Sequence, residues 1–270
     1  MRFRQIFSKL LFCLKITGHP GRMLRLMYYS KRFTYRYRHH QVKNGFFEPK
    51  AFLLNWSGKQ FWLYMRLETG DIMMFYEIFW SRVYSVPQTL LENPKVIVDL
   101  GANVGFTSLF FKLCYPGAQI FALEPSASNY AVMVRNSADW KGIQPLQAAV
   151  WNITSKIWFK EADYAYNSKI AAAEDTENYE VQAWQMGDFM TMSGIRKIDL
   201  LKIDIEGAEM QILGSNNNWL NQVQHILIEL HPPYNINLLR QDLAPFGFEI
   251  LVPPAQGLKV VFAFRQLVVG

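Results

Sequence analysis

Acidic side chains and a pair of glycines follow two short apolar segments in the middle of the chain. In the first segment, Asp99 comes just before a turn that begins at Gly101 and ends at Gly105. The second segment, Gln119–Leu123, delivers Glu124 at its own end. The carboxyl ends of parallel strands meet at one edge of a sheet, where open α/β folds bind ligands. The spacing predicts a nucleotide-type pocket; a plain strand–helix unit with solvated acids is the alternative.

The charges around this loop distinguish two nucleotide cofactors. A dinucleotide-binding loop has the pattern G-x-G-x-x-G and offers a helix N-terminus to the pyrophosphate. Here the middle glycine is missing, the loop contains no Lys or Arg, and Asp99 is an anion that would repel a pyrophosphate. S-adenosylmethionine carries no phosphate, and its α-ammonium would attract the Asp99 carboxylate. Glu124 would accept hydrogen bonds from the ribose hydroxyls. We therefore predict S-adenosylmethionine as the cofactor.

Two later strand ends carry further polar side chains. Strand alternation places Lys202, Asp204 and Glu206 on one side of the first. Glu229 and His231 share a face at the end of the next. By topology, all of these groups should converge with the glycine loop above one sheet edge. The predicted cofactor-binding residues are Asp99, Gly101, Ala102, Asn103, Gly105, Glu124 and Asp204.

A hydroxyl that accepts a methyl group must be aligned and must lose its proton. His231 is the predicted general base because imidazole titrates near neutrality. Asp204 is the second predicted catalytic residue, and it would hold the cofactor or the acceptor hydroxyl. The alternatives are a structural His231 before the Pro-Pro turn and, for Glu206 and Glu209, ordinary acids in the first turn of a helix. A metal site is chemically possible here, but the spacing is unspecific and we predict none. The remaining residues predicted to shape the substrate site are Lys202, Glu206 and Glu229.

The elements that would position these residues alternate as strand, helix and strand, which favours a parallel sheet. The predicted strands are Val96–Asp99, Gln119–Leu123, Ile143–Ala149, Ile198–Asp204, His225–Leu230, Phe248–Val252 and Lys259–Arg265. The predicted helices are Gly105–Cys114, Ser128–Asp139, Ala208–Gly214 and Asn237–Pro245. Only a hairpin's length separates the last two strands, so they should run antiparallel. The pattern predicts a Rossmann-like αβα sandwich of three layers, with a seven-stranded, mostly parallel sheet and an antiparallel last strand. Class I methyltransferases have this arrangement, and dehydrogenases do not.

Further elements are predicted before and after the start of this sheet. Turn residues predict a hairpin over Phe52–Arg66. Asp71 is placed as the N-cap of a helix over Ile72–Arg82. A long insertion at residues 151–197 should contain a small β-excursion, and insertions at this edge often shape substrate pockets.

The first fifty residues are strongly basic. Twelve Lys or Arg against one acid, Glu48, give this segment a charge of +11, so the remainder carries −5 of the net +6. Apolar residues at helical spacing from Phe3 to Leu14 predict an amphipathic helix that Gly18 and Pro20 end. Its apolar run is too short to span a membrane. The apolar stripe would either lie on an anionic bilayer or pack on the rest of the fold. No nucleic-acid-binding motif is present, and nucleic acid is not a predicted partner.

Several of these segments resemble the FkbM family of S-adenosylmethionine-dependent methyltransferases, from about Gly70 to Leu251. Residues 98–105 are similar to the cofactor loop of the family. Residues 201–209 look like its lysine–aspartate–glutamate–glycine signature. The resemblance implies O-methylation of a hydroxyl, frequently on a sugar, a glycan or a natural product. It does not extend to residues 1–50.

Upstream of the loop, the resemblance continues into the segment that closes over the cofactor in this family. Glu77 and Tyr84 match that segment, so the resemblance implies that they shape the site. Val83 stands where the family often has an acidic residue before the tyrosine.

Together these observations predict an enzyme in two parts. Residues 1–94 would form a basic cap region of helix and hairpin, and residues 95–270 an S-adenosylmethionine-binding methyltransferase domain. The predicted function is methyl transfer to a hydroxyl of a sugar, glycan or related small molecule. The alternative is a non-catalytic, membrane-docked module that retains the fold. The expected partners are the acceptor and an anionic membrane surface that residues 1–40 would contact. The two distant cysteines favour a reducing compartment. We therefore expect a cytoplasmic location, with peripheral attachment at the inner membrane surface as a variant of it.

Overall fold

The computed structural model describes residues 2–43, 45–87, 89–160, 169–170, 179–214, 216–251 and 260–265. Its α-helices are α1 (Arg2–Thr17), α2 (Pro20–Arg38), α3 (Asp71–Phe75), α4 (Phe106–Cys114), α5 (Ala127–Ser137), α6 (Met186–Met192), α7 (Glu209–Leu213) and α8 (Ile236–Leu243). Its strands are β1 (Lys50–Trp56), β2 (Lys59–Met65), β3 (Val96–Leu100), β4 (Gln119–Leu123), β5 (Ile143–Leu146), β6 (Ala148–Val150), β7 (Ser155–Lys160), β8 (Lys169–Ile170), β9 (Tyr179–Trp184), β10 (Leu200–Ile203), β11 (His225–Glu229), β12 (Phe248–Leu251) and β13 (Val260–Arg265). Shorter helical turns are the π-helical Tyr76–Ser81 and the 3₁₀ turns Asn218–Gln222 and Ala244–Phe246.

A seven-stranded sheet forms the centre of the fold, in the order β12-β13-β11-β10-β3-β4-β5. β13 runs antiparallel to both of its neighbours, and the pairs from β11 to β5 are parallel. Every residue of β10 is buried, as expected of a parallel strand covered on both faces. The sheet confirms the predicted class I arrangement with its antiparallel last strand. The predicted inner ends of the last two strands, Val252 and Lys259, lie outside the described residues.

The strand predicted over Ile143–Ala149 is wrong, because the chain changes sheets within it. Only β5 belongs to the central sheet, at its open edge, where Pro145 is tolerated because an edge strand can lack one backbone N–H donor. β6 pairs instead with β9, in a second sheet of order β6-β9-β7-β8. This sheet contains the β-excursion predicted for the insertion.

The N-terminal region packs on the main core through two helices and a hairpin. α1 ends at Thr17, as Gly18 and Pro20 predicted, and α2 follows it, a helix that the sequence analysis did not predict. Cys13 and Leu26 are fully buried in the same apolar cluster as residues of α4 and β3. The predicted hairpin is confirmed by the antiparallel pairing of β1 with β2. Among the described residues, no helix is both long enough and apolar enough to cross a bilayer.

The helix predicted over Ile72–Arg82 is continuous from Asp71 to Ser81 but changes from α to π, and its predicted cap is wrong. α3 gives way to the π-helical turn after Phe75. Asp71 does not cap α3, because its buried carboxylate pairs with Arg66 at 2.8 Å and accepts a hydrogen bond from the Thr69 hydroxyl at 2.6 Å. Leaving a buried carboxylate without a charged partner costs more free energy than leaving a helix end without a side-chain cap.

Candidate active site

A cavity of about 940 Å³ lies above the carboxyl ends of the central strands. At this edge the sheet runs from β3 in two directions, to β4 and to β10. The loops after these strands diverge and leave a crevice between them. The residues predicted from sequence that line the cavity are Gly101, Ala102, Asn103, Glu124, Lys202, Asp204, Glu206, Glu229, His231, Glu77 and Tyr84.

The cofactor loop, residues 101–105, needs its two glycines for different reasons. Gly101 has φ +69°, and a Cβ atom there would lie 1.8 Å from the carbonyl oxygen of Asp204. Gly105 has φ +82° where α4 begins, and its Cβ would meet Met133 Cγ at 3.0 Å. The positive φ values alone disfavour larger residues. The close approach at Gly101 also presses the loop against the chain that follows β10. Gly105 does not line the cavity among the described residues.

Asp99 is buried beneath this loop and is not among the described cavity-lining residues. Its carboxylate accepts a hydrogen bond from Ser108 Oγ at 2.7 Å and pairs with Lys202 Nζ at 3.1 Å. Lys202 Nζ also donates to the Gly101 carbonyl at 2.7 Å. Burial opposes the charge on Lys202, but Asp99 and Asp204 outweigh it and raise the pKa of the amine. The sequence pattern placed Asp99 against the cofactor ammonium, whereas this geometry turns it inward, where it supports the loop through Lys202.

Glu124 lies at the end of β4 and reaches the cofactor loop. Its Oε2 accepts a hydrogen bond from the backbone N–H of Asn103 at 2.8 Å, and its Oε1 accepts one from Ser126 N–H at 2.9 Å. Burial raises the pKa of this carboxyl to about 7, although both backbone hydrogen bonds act in the opposite direction. Asn129 Nδ2 also donates to Oε1, at 3.4 Å, so Oε2 is the oxygen that keeps a second lone pair. Glu124 can therefore accept a further hydrogen bond from a ligand hydroxyl.

Asp204 and Tyr84 connect the segment after the π-helical turn to the end of β10. The Tyr84 hydroxyl donates to Asp204 Oδ2 at 2.7 Å and lies 3.5 Å from Glu229 Oε2. Burial, followed by the charges of Asp204 and Glu229, raises the pKa of Tyr84 well above its ordinary value. The phenol therefore stays protonated and keeps donating. Two residues for which the resemblance and strand alternation gave independent predictions thus meet in the cavity wall.

His231 lies among four carboxylates, which we call the acid cluster: Asp204, Glu206, Glu209 and Glu229. Its Nδ1 lies 2.8 Å from Glu209 Oε1. Its Nε2 faces Glu206 Oε2 at 3.5 Å, Glu229 Oε1 at 3.8 Å and Asp204 Oδ1 at 3.9 Å. Burial opposes the charge on His231, but the hydrogen bond to Glu209 and the charges of Glu206 and Asp204 raise the pKa of the imidazole to about 9.

Glu209, like Glu206, was interpreted from the sequence as an ordinary acid in the first turn of a helix. It is fully buried in the first turn of α7, and its Oε1 also accepts a hydrogen bond from the Gly207 N–H at 3.3 Å. Helical position alone gave no signal, since acids are common in first turns. The contact with His231 depends on how α7 packs beside the end of β11.

Glu206 carries the strain of the cluster. It has φ +53°, which an L-residue adopts only at a cost, and such strain concentrates at functional sites. Burial and the charge of Asp204 raise the pKa of its carboxyl to about 7. Asp204, Glu206 and His231 each offer one ligand atom, and these atoms lie within 4.8 Å of one another, so a cation could bind there. That no metal takes part stays a prediction, which a chelator added to an activity assay would test.

Part of the cavity lining is apolar and aromatic. It combines side chains from α2, from α3, from β7 and from the residue after β6: Tyr37, Met73, Met74, Phe159 and Trp151. Tyr37 comes from the helix that was not predicted, so its place in the wall had no signal in the sequence. The cavity therefore combines charged side chains with apolar surface suited to flat groups.

The charges of the cavity fit a cationic cofactor without phosphate. Five carboxylates line it: Glu77, Glu124, Asp204, Glu206 and Glu229. Lys202 is the one lysine among the described lining residues, and Asp99 and loop carbonyls already occupy its amine. A pyrophosphate would meet net repulsion, while the ammonium and sulfonium groups of S-adenosylmethionine would be attracted. The residues present therefore fit S-adenosylmethionine.

Comparison with known proteins agrees with this chemistry. Residues 99–250 match the Methyltransferase FkbM domain. The chain is 28% identical to Methyltransferase sdnD of Sordaria araneosa, over 66% of this chain and 82% of that protein. It is 28% identical to hexuronic acid methyltransferase AglP of Haloferax volcanii, over 52% and 57% respectively. It is 24% identical to the 31-O-demethyl-FK506 methyltransferase FkbM of Streptomyces tacrolimicus, over 61% and 76%.

The matched residues run from Asp99 beneath the cofactor loop to β12, so they include most of the central sheet and the acid cluster. They make up more than half of the chain. The chain is therefore an S-adenosylmethionine-dependent methyltransferase that belongs to the FkbM family.

Proposed function

We propose that this enzyme methylates a hydroxyl oxygen of a sugar, a glycan or a related small molecule, with His231 as the general base. The observation that carries the proposal is the pair formed by Glu209 and His231 at the cavity wall. Glu209 is an acceptor toward Nδ1, so the neutral imidazole keeps its proton on Nδ1 and presents a free lone pair at Nε2. Nε2 is the nitrogen that faces the other three carboxylates of the acid cluster.

The bound cofactor supplies an electrophilic methyl group. We assign Glu124 to the ribose hydroxyls, in keeping with the remaining lone pair of Oε2 at the cofactor loop. Asp204, oriented by the Tyr84 hydroxyl, would attract the cationic part of the cofactor or hold the acceptor hydroxyl. His231 would then take the hydroxyl proton at Nε2, and the resulting imidazolium would be stabilised by Glu206 and Glu229. A positioned base of this kind contributes about 10²–10⁴-fold to the rate.

Two observations support a sugar-like acceptor. Trp151 and Phe159 present aromatic side chains to the cavity, and amphipathic aromatic surfaces suit the alternating polar and apolar faces of a sugar ring. The names of two relatives, AglP and the FK506 methyltransferase FkbM, specify a hexuronic acid and an oxygen-linked methyl position respectively. A carbohydrate hydroxyl is the acceptor that combines both.

Incubating the enzyme with methyl-labelled S-adenosylmethionine and a panel of hexuronic acid and neutral hexose glycosides tests this proposal. We expect an ether-linked methyl group on a ring hydroxyl, located by NMR. The His231→Gln variant should lose about 10²–10⁴-fold in kcat. It should bind S-adenosylhomocysteine within a fewfold of the wild type, because a base acts on the acceptor.

Two results would contradict the proposal. Methyl esters or N-methyl products would show that the acceptor is not a hydroxyl. A His231→Gln variant with normal turnover would remove the imidazole from proton transfer, whatever the acceptor.

A further inference from the structure

α1 has two apolar faces, and the fold buries only one of them. Cys13 and Ile16 are turned into the core. The other face remains exposed, and its members keep 41–61% of their surface accessible: Ile6, Phe7, Leu11 and Leu14. These four residues belong to the stripe predicted from Phe3 to Leu14, of which Leu10 is partly buried. None of the hydrophobic clusters found within the described residues includes the four.

These exposed residues form a continuous stripe on α1. Phe7, Leu11 and Leu14 stand four and three residues apart, so they share one side of the helix. Ile6 borders them. Isolated exposed apolar residues are normal on protein surfaces, but a contiguous group of large ones indicates an interaction site.

α2 adds an exposed face of a related kind. Leu24, Tyr28 and Tyr35 are each about 60% exposed and recur at helical spacing. Lys31 and Arg32 lie between them and are exposed as well. Tyrosine and basic side chains beside apolar ones are typical of helices that lie in a membrane interface.

Within the described residues, ion pairs neutralise only a small part of the charge of this region. Residues 1–40 hold ten Lys or Arg and no Asp or Glu. Some serve the fold: Lys9 stacks on the Tyr76 ring and Arg36 pairs with Glu68. Five others are exposed, and no ion pair found within the described residues includes them: Lys15, Arg22, Lys31, Arg32 and Arg38.

We propose that the exposed faces of α1 and α2 dock on an anionic lipid bilayer, with both helices lying in the interface plane. Apolar side chains would enter the headgroup region while the flanking cations pair with lipid anions. The acidic remainder of the chain, with its net −5, would be repelled from the same surface and so would favour one orientation.

Docking would also bring the cavity close to the bilayer, because Tyr37 of α2 lies in its wall. A methyl acceptor carried by a lipid would then reach the site from the membrane. The docking itself does not depend on which atom the enzyme methylates, so its test needs no turnover.

The test is co-sedimentation of the full-length chain with vesicles of phosphatidylcholine alone or with about 30 mol% phosphatidylglycerol. We expect at least tenfold tighter binding to the anionic vesicles, weakened by salt. Phe7→Gln with Leu11→Gln should reduce binding at least tenfold, and Lys31→Glu with Arg32→Glu should abolish the preference for anionic lipid. Ile153→Gln with Met192→Gln, which removes two equally exposed apolar residues elsewhere, is the matched control and should bind like the wild type.

Thermal melts must show that each variant is folded, which is expected because all of the substituted side chains are exposed. Equal binding to both vesicle types, or no binding to either, would overturn the proposal. So would a dimer in sedimentation velocity that Phe7→Gln with Leu11→Gln dissociates, since the exposed faces would then bind a second copy. Preferential capture by an RNA or DNA oligonucleotide in competition with vesicles would assign the basic surface to nucleic acid instead.

Discussion

Four carboxylates lie within 4 Å of the His231 imidazole, so the charge on this ring governs the chemistry of the site. With a pKa of about 9, most of the rings are protonated at pH 7, and only a neutral ring can accept a proton. A cationic cofactor in the same cavity changes this balance, because a nearby positive charge lowers the pKa of an imidazole. Cofactor binding and release of the His231 proton should therefore be coupled.

The pH dependence of turnover tests this coupling at the level of single residues. For the wild type, kcat/KM for S-adenosylmethionine reports ionisations of the cofactor-free enzyme and should rise with pH up to about 9. The plateau of kcat should be reached at a lower pH, because the bound cofactor lowers the pKa of His231. Glu209→Gln removes a negative charge and weakens a charge-assisted hydrogen bond, both of which favour imidazolium, so the kcat/KM profile should move to lower pH by a unit or more. Initial rates between pH 6 and 10 measure both effects. An unmoved profile in Glu209→Gln would show that another group controls the reaction.

At the level of elements, the site depends on contact between the cofactor loop and the turn that connects β10 to α7. The Asp204 carbonyl occupies the space where a side chain at position 101 would stand. Lys202 adds hydrogen bonds to the carbonyls of Leu100 and Gly101 from the β10 side. The residues that we propose for cofactor binding and for catalysis are thus in direct contact, although about a hundred residues separate them in sequence.

Gly101→Ala should therefore disrupt the site without creating a cavity in the hydrophobic core. A Cβ atom 1.8 Å from a carbonyl oxygen forces the loop or the turn to move, and the positive φ adds strain. We expect at least a hundredfold weaker S-adenosylhomocysteine binding, about 3 kcal/mol, by isothermal titration. Gly117→Ala is the matched control, since its Cβ would meet nothing within 4 Å and its φ is not positive. Wild-type affinity in Gly101→Ala would show that the close approach is dispensable.

For the whole molecule, the basic N-terminal region and the catalytic sheet share one core. Asn136 of α5 connects them, because its amide donates to the carbonyls of Tyr64 in β2 and Val104 in the cofactor loop, at 3.0 and 2.8 Å. The Tyr76 hydroxyl lies 2.6 Å from Ser30 Oγ of α2. We retain the division into residues 1–94 and 95–270 as a proposal about chain organisation, and we expect the two parts to unfold together.

Leu26→Ala tests this cooperativity. Leu26 is fully buried, so its truncation should cost about 2–5 kcal/mol of unfolding free energy. The whole transition should shift downward by roughly 2–4 °C for each kcal/mol. Leu24→Ala, on the exposed side of the same helix, should change stability by less than about 0.5 kcal/mol. Circular dichroism and tryptophan fluorescence should report one shared transition, and a separate early transition in Leu26→Ala would show that the N-terminal region unfolds independently.

The sequence by itself determined the central sheet, the cofactor loop and the chemical class of the enzyme. Parallel strands alternate with helices, so local periodicity indicates where each strand lies along the chain. The carboxyl ends of parallel strands meet at one edge of the sheet. This is why Glu124, Asp204, Glu229 and His231 could be placed in one cavity before any distance was known. These predictions succeed because hydrophobic periodicity, glycine turns and strand ends depend on residues that are close together along the chain.

Only the tertiary structure decided where each charge points. Asp99 turns inward to Lys202, Asp71 pairs with Arg66 instead of capping α3, and Glu209 orients His231. Burial makes an unpaired charge costly, so each buried carboxylate takes the partner that packing brings within reach, and that partner can be a hundred residues away. The same packing determines which apolar face of α1 is buried, and four residues of the predicted stripe stay exposed.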